Sequence, residues 1–436
     1  MSTTPGQPAG RRAHQPDTQP DARPDAQLED GRGKQSPAAP VIPLRRDSGE
    51  PPSPQGPSSA STAAASTAPA RNGRARWARG PARPTLAEAF DPRSNALDLL
   101  RLALATTVAV VHTMLIGTGH QPQTGSTDLG SLAVDAFFVL SGFLVARSYL
   151  RLDSLRRFVW HRALRILPGF WLSLLLTAAL VAPLLALLEG RPAASVFTGP
   201  DSALDYLQHN AFLQIQQFGI SGLTAGSGAP DVINGSLWTL LFEACCYAIV
   251  ASLGVVGILR RQRWLVLALL IALWLLTIAA AAGFNPLGSE LMLRLSFVFL
   301  LGTAGHLFAD QIPVRGWLAG FSLALVIVGL TFLPDYRALA GPAFAYLCLW
   351  AIVRCPWRPR MRWDLSYGMY VWHWPIAQLL FALGAATLTA VPFIALGLAL
   401  TAAVATASWT LIERPALSWK DAAWVTRTPR ALRPRP

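Results

Sequence analysis

The chain has 436 residues, 52% of them hydrophobic and only 14% charged, too apolar and too poor in charge for a soluble protein of this size. Its formal net charge of +13 does not point to nucleic acid, because the basic residues gather in the tails and in short connections between apolar runs, where membrane topology puts them. Arginine far outnumbers lysine and alanine is abundant, a composition that suggests a GC-rich bacterial genome.

Residues 1–93 hold almost no apolar run and are dense in Pro, Ala, Ser, Arg and Asp. Such a segment buries too little surface to offset its ordering entropy, so it is expected to be a disordered extension. It lacks the apolar core and small-residue cleavage site of a secretory signal. Its last part, Arg71 to Pro84, carries five arginines and Trp77. It reads as a topogenic cytoplasmic flank, or as a surface for anionic lipid.

The first apolar run, LDLLRLALATTVAVVHT, contains Arg101 and His112. Eleven steps of ~100° return a helix to within ~20° of its starting face, and they separate the two side chains by ~16 Å along the axis. One face of one span thus carries a cation near one end and an imidazole toward the other. Asp98, three residues before Arg101, is placed to pair with it. Ionisable groups at membrane depth are costly and usually functional.

Further runs long enough to span follow, giving ten in all at roughly 96–117, 129–148, 164–188, 236–259, 264–283, 290–309, 316–333, 338–355, 365–387 and 391–412. The expected fold is all-α: a polytopic membrane bundle of about ten transmembrane helices behind a disordered N-terminal extension. The domain reading is an extension over 1–93, a membrane domain over 94–417 and a basic tail over 418–436. With the N-terminus cytoplasmic, the inner connections include RSYLRLDSLRRFVWHR, RRQR and RCPWRPRMRW, while the outer ones carry only Arg191 and Arg337. The long outer loop, 189–235, is acidic through Glu189, Asp201, Asp205 and Asp231. The asymmetry puts both termini on the cytoplasmic side of the cell membrane. Cys245, Cys246, Cys348 and Cys355 are spaced neither as a metal site nor as a disulfide framework, and read as small apolar filler.

Polar residues inside the spans suggest two clusters. Toward the outer side lie His112, Asp135 in span 2, Glu243 in span 4, and Tyr370 and His373 in span 9, with Arg294 of span 6 as a possible counter-ion. Two histidines and two carboxylates from four helices at similar depth make a plausible acid/base site. The bland readings are a packed core histidine for His373 and a capping role for Asp135. At the inner end, Arg162 and Arg165 lie one turn apart and join Arg101 in a group suited to phosphates. Arg156 and Arg157 nearby read equally well as topogenic charge.

At these residues the chain resembles the acyltransferase 3 family of integral membrane acyltransferases. LDLLRLALATTVAVVH resembles the family's first-helix Arg-to-His motif, onto Arg101 and His112, and VDAFFVLSGFLV its FF-x-LSGF segment. HRALRILPGFW is similar to the paired-arginine motif, onto Arg162 and Arg165. NGSLWTLLFEACCY resembles LW-S-L-x-x-E with Thr239 in place of Ser, and LSYGMYVWHWP resembles SY-x-x-YLWHWP with Val371 in place of Leu. IERP, from Ile412 to Pro415, is similar to the closing element. The resemblance covers about residues 93–417 and implies transfer of an acyl group, acetyl by default, from cytoplasmic acyl-CoA to a hydroxyl of a carbohydrate or glycoside. No metal is implied. The esterase-like C-terminal domain of some members is missing, and the N-terminal extension has no counterpart in the pattern.

A mechanism follows as an expectation. Arg101, Arg162 and Arg165 hold the phosphates of the donor, and its extended pantetheine arm, of order 15–20 Å, matches the ~16 Å from Arg101 to His112. His112 acts as general base, or as a covalent acyl carrier. Glu243 or Asp135 orients it, and Tyr370 and His373 donate to the oxyanion. The alternatives are a secondary transporter or flippase and, within the enzyme class, an acceptor that is a secreted antibiotic-type glycoside.

Overall fold

The computed structural model describes residues 84–125, 127–284, 288–359 and 361–426. Most of the expected extension, its arginine-rich flank up to residue 83, and the last ten residues of the basic tail lie outside the described residues.

All ten expected spans are helical. In chain order the long helices are α2 (Leu97–Thr118), α3 (Leu129–Leu152), α4 (Leu155–Leu176), α7 (Thr239–Val255), α9 (Arg263–Ala281), α10 (Glu290–Leu307), α11 (Gly316–Phe332), α12 (Tyr336–Arg354), α13 (Ser366–Ala382) and α14 (Ala390–Ser408). Between and around them lie the short helices α1 (Leu86–Ala89), α5 (Ala182–Leu188), α6 (Ala203–Asn210), α8 (Ile258–Arg261), α15 (Arg414–Ser418) and α16 (Ala423–Thr426). Seven spans among the described residues are long and apolar enough to cross a membrane; α7, α11 and α13 have 17 residues each. This is a multi-pass membrane protein. A two-stranded ribbon, Gln123–Thr124 with Thr127–Asp128, is the only sheet in the described residues.

Boundaries depart from the apolar runs for local reasons. Helix α4 starts nine residues before its apolar run. Ser154 caps it by accepting from the Arg157 N–H, and the preceding Asp153 ends α3 in the left-handed conformation. Hydropathy marks depth, whereas a capped polar turn continues the helix outside the apolar zone. Residues 84–93, grouped with the extension on composition, are built into the folded domain. Thr85 and Glu88 form a reciprocal cap, Leu86 is buried, and Leu86 N–H and Ala87 N–H donate to the carbonyls of Ile312 and Ala309.

Two prolines within spans, Pro342 and Pro375, have their freed carbonyls covered. Pro342 in α12 cannot donate to Ala338, and the Trp274 indole donates to that carbonyl instead at 2.8 Å. Pro375 in α13 leaves the Val371 carbonyl free, and the Asn234 amide takes it at 3.2 Å. Helices α3 and α10 cross closely at Gly142 and Gly302, where an added Cβ would come within 1.9 Å of a backbone oxygen of the partner helix. Small residues let membrane helices approach in this way.

The loop over 189–235 does not simply stand off the bundle. Its α6 portion lies along α4, where Trp171 donates to the Ala211 carbonyl. Its last part threads between α2 and α13: Gly228 N–H donates to the Ile116 carbonyl, and Trp374 and Gln378 both donate to Val232.

Candidate active site

The His112 side chain on α2 meets His373 on α13, with Nδ1 of His112 2.8 Å from Nε2 of His373. The edge of Trp374 closes on the His112 ring at 4.7 Å between centroids. The second nitrogen of His373, Nδ1, lies 3.1 Å from the Met369 carbonyl. That carbonyl can only accept, so Nδ1 carries the proton. In the neutral ring Nε2 is then the acceptor and His112 Nδ1 the donor. The Nε2 of His112 is left with a free lone pair, the state a general base requires.

Below this pair, a cavity of about 120 Å³ is lined by α2, α3, α4, α7 and α13. Arg101, Arg162 and Arg165 line one end, Ser141, Glu243 and Tyr247 the middle, and Thr239 and Tyr370 the other end. From Tyr247 to Thr239 the wall of α7 rises about 12 Å, and Tyr370 lies one turn, about 4.5 Å, below His373. The hydroxyls of Tyr370 and Thr239 are 2.7 Å apart. One donates to the other, so one O–H of the pair remains for a third group.

The expected partners of His112 are corrected here. Asp135 is fully buried and faces α10 and α12. Arg294 Nε donates to it at 2.8 Å, Arg337 at 2.7 Å, and the Tyr336 hydroxyl at 2.8 Å. Arg294 is thus its counter-ion, as considered, but Asp135 belongs to a scaffold cluster. Glu243 accepts from Tyr247 and from Ser141 at 3.4 Å, on the cavity wall. The side chain hydrogen-bonded to His112 is His373. With Nδ1 and Nε2 both engaged, His373 has no donor left for an oxyanion, whereas the Thr239–Tyr370 pair keeps one. The tertiary fold brings together His112, His373 and Tyr370, puts Glu243 with Tyr370 on the cavity wall, and leaves Asp135 apart.

At the arginine end, Arg101 pairs not with Asp98 but with Asp364, which precedes α13. Arg101 Nη1 donates to Asp364 Oδ2 at 3.2 Å. Arg165 Nη2 forms an ion pair with the same oxygen at 2.8 Å, off the line of a hydrogen bond. The Ser366 hydroxyl donates to Oδ1 at 2.7 Å. Burial alone would raise the Asp364 carboxyl, but the two guanidiniums beside it hold it well below the usual carboxylate range. Arg162 lies over the Tyr247 ring, 5.6 Å from its centroid, and its buried Nε makes no hydrogen bond among the described residues. Gly169 keeps this end compact, since a Cβ there would sit 2.5 Å from the Tyr367 ring.

Arg156 and Arg157 have a structural task. Arg156 donates twice to the Val425 carbonyl, Arg157 pairs with Asp421 at 3.3 Å, and Trp160 donates to the Trp419 carbonyl. The described part of the tail thus returns onto the start of α4. Asp364 and Asn234 escaped sequence reasoning. The traces they left were a lone acid inside a basic connection and a proline four residues after an orphaned carbonyl. The four cysteines are free. Among the described residues no group of three His, Cys, Asp or Glu side chains is placed to hold a metal ion.

Polar chemistry sealed among apolar helices, with a histidine pair beyond an arginine-lined cavity, points to an enzyme embedded in the membrane. Comparison with known proteins makes the class specific: the chain belongs to the acyltransferase 3 family, whose model, an acyltransferase domain, matches residues 94–412, and it is an acyltransferase. It is similar to the O-acetyl transferase of Shigella phage Sf6, at 27% identity over 66% of this chain and 86% of the relative. Nodulation protein 10 of Rhizobium leguminosarum bv. viciae is 27% identical over 74% of this chain and 93% of its own. Exopolysaccharide production protein ExoZ of Rhizobium meliloti (strain 1021) is 26% identical over 69% and 92%. No solved structure matches the chain.

Proposed function

We propose that this acyltransferase carries an acetyl group from acetyl-CoA to a hydroxyl of a carbohydrate or glycoside, with His112 as general base. The observation that carries the reading is the His112–His373 hydrogen bond, backed by the Met369 carbonyl, one turn beyond the far end of the arginine-floored cavity. The relatives named as an O-acetyl transferase and as an exopolysaccharide production protein support the group and the acceptor class. The inward bias of basic residues supports cytoplasmic termini and a donor that binds from the cytoplasm.

The donor's phosphates sit against Arg101, Arg162 and Arg165, and its pantetheine arm lies in the cavity. The acceptor hydroxyl gives its proton to His112 Nε2 while its oxygen attacks the thioester carbonyl carbon. The imidazolium is steadied by its Nδ1–H, which His373 Nε2 accepts. The tetrahedral oxyanion takes the free O–H of the Thr239–Tyr370 pair. Collapse breaks the C–S bond, and the proton returns from His112 to the departing thiolate, giving CoA and the ester.

The test uses membranes that contain the protein, acetyl-CoA labelled in the acetyl group, and the total glycan and glycoside fraction of the producing cell. Label should pass to an alkali-labile ester with the wild-type protein and not with His112→Ala, at equal amounts of inserted protein. Equal transfer by both would overturn the reading.

A further inference from the structure

The three arginines of the cavity do not have the same surroundings. Arg101 comes from α2 and Arg165 from α4, yet both reach one oxygen of Asp364. The other oxygen is held by Ser366 at the start of α13. One carboxylate therefore ties three helices together at the mouth of the site. Both arginines line the cavity, and Asp364 is not part of its wall. It meets the guanidiniums from behind. A guanidinium has five N–H donors, so each arginine keeps donors for the cavity after its contact with Asp364. Arg162 also lines the cavity, but it rests on the Tyr247 ring and its buried Nε makes no hydrogen bond among the described residues.

We infer that Asp364 is a positioning residue for the acyl donor, holding Arg101 and Arg165 side by side to receive its phosphates. The inference rests on the donor assignment made above. Two guanidiniums that share one oxygen are like charges at short range. Without the carboxylate they repel and separate, and the geometry that suits a phosphate is lost. A purely electrostatic role would act in the opposite sense. Removing one negative charge would raise the positive potential of the cavity and tighten phosphate binding. The sign of the effect therefore separates positioning from bulk charge.

The experiment measures CoA binding to the purified full-length protein in lipid nanodiscs by calorimetry, alongside steady-state acetyl transfer. Asp364→Asn keeps the side chain's shape and removes its charge. The expected result is a rise of about tenfold in the Kd for CoA and in the KM for acetyl-CoA, with kcat within about twofold of wild type. Asp364→Glu should recover most of the loss. Unchanged or tighter binding by Asp364→Asn would overturn the inference while leaving the donor assignment standing. Failure of the wild-type protein to bind CoA at all would remove the donor assignment, and the role of Asp364 with it. Should Asp364→Asn fail to fold, Ser366→Ala provides the second reading. It frees Oδ1 without touching the charge, and a rise of about threefold in Kd is expected. An unchanged Kd there would equally overturn the inference.

Discussion

Two clusters of guanidinium and carboxylate groups lie at opposite ends of this bundle, and they differ in what surrounds them. Around Asp135, the Arg294 and Arg337 guanidiniums and the Tyr336 hydroxyl saturate one fully buried carboxylate, and Asp335 takes a further Arg337 donor at 2.9 Å. Around Asp364, two of three arginines share one oxygen, the third makes no ion pair among the described residues, and all three border a cavity. The knot at Asp135 also borders a cavity, through Arg294 and Arg337, but there the guanidinium donors are taken by Asp135, Asp335 and Ser131, whereas at Asp364 the three arginines keep unused donors. The number of charges does not distinguish them. What does is whether their donors are already taken.

The largest expected effect breaks the knot. Asp135→Ala leaves two guanidiniums in the interior without their acid, and removing one partner of a buried ionic network costs about 3–5 kcal/mol. The variant should lose folded protein, seen as a collapse in monodisperse yield and melting temperature. Whatever folded fraction remains should keep its KM for acetyl-CoA. A stable variant with a raised donor KM would mean that Asp135 serves the site after all.

Next comes the histidine pair. His373→Ala deprives His112 of its orienting acceptor, and a fall in kcat of about 10²-fold is expected at little change in donor KM. His373→Gln, whose amide oxygen can accept from His112 Nδ1, should recover part of the loss. Equal kcat for the Ala and Gln variants would show that the hydrogen bond does not orient the base.

Much of this arrangement was legible in the sequence. The ten spans were readable because apolar length is a local property, and the placing of Arg101 and His112 on one helix because helical spacing is local too. The partners were not, because they are chosen across helices. Asp135, Glu243 and His373 share a range of depths, and depth alone cannot say that Asp135 turns toward α10 and α12, or that His373 meets His112. Asp98 was the near neighbour of Arg101 in sequence, but Asp364 reaches it only after α2, α4 and α13 assemble. Asn234 became visible only once its amide was seen on the carbonyl that Pro375 leaves free.

A smaller effect sharpens the contrast at the open end. Arg162→Ala removes a cation that no acid among the described residues pairs with, so stability should hardly change. Donor binding should weaken by about tenfold, the scale of one or two charge-assisted hydrogen bonds to phosphate. Melting temperature and the KM for acetyl-CoA, measured on the same preparation, check both halves. A marked loss of stability would place Arg162 with the structural arginines instead.

The smallest effect lies in pH. The folded Asp364 carboxyl is held below its unfolded value of about 3.9. Its ion pairs therefore contribute fully above about pH 4, and the contribution is lost as pH falls through the lowered folded value. The difference in melting temperature between wild type and Asp364→Asn should be a few degrees, since the pair is only partly shielded from solvent. It should stay constant from about pH 5 to pH 8 and narrow only at more acid pH. A gap that changes between about pH 5 and pH 8 would mean that a different group titrates at the arginine end, and that Asp364 is not the fixed anion against which Arg101 and Arg165 are set.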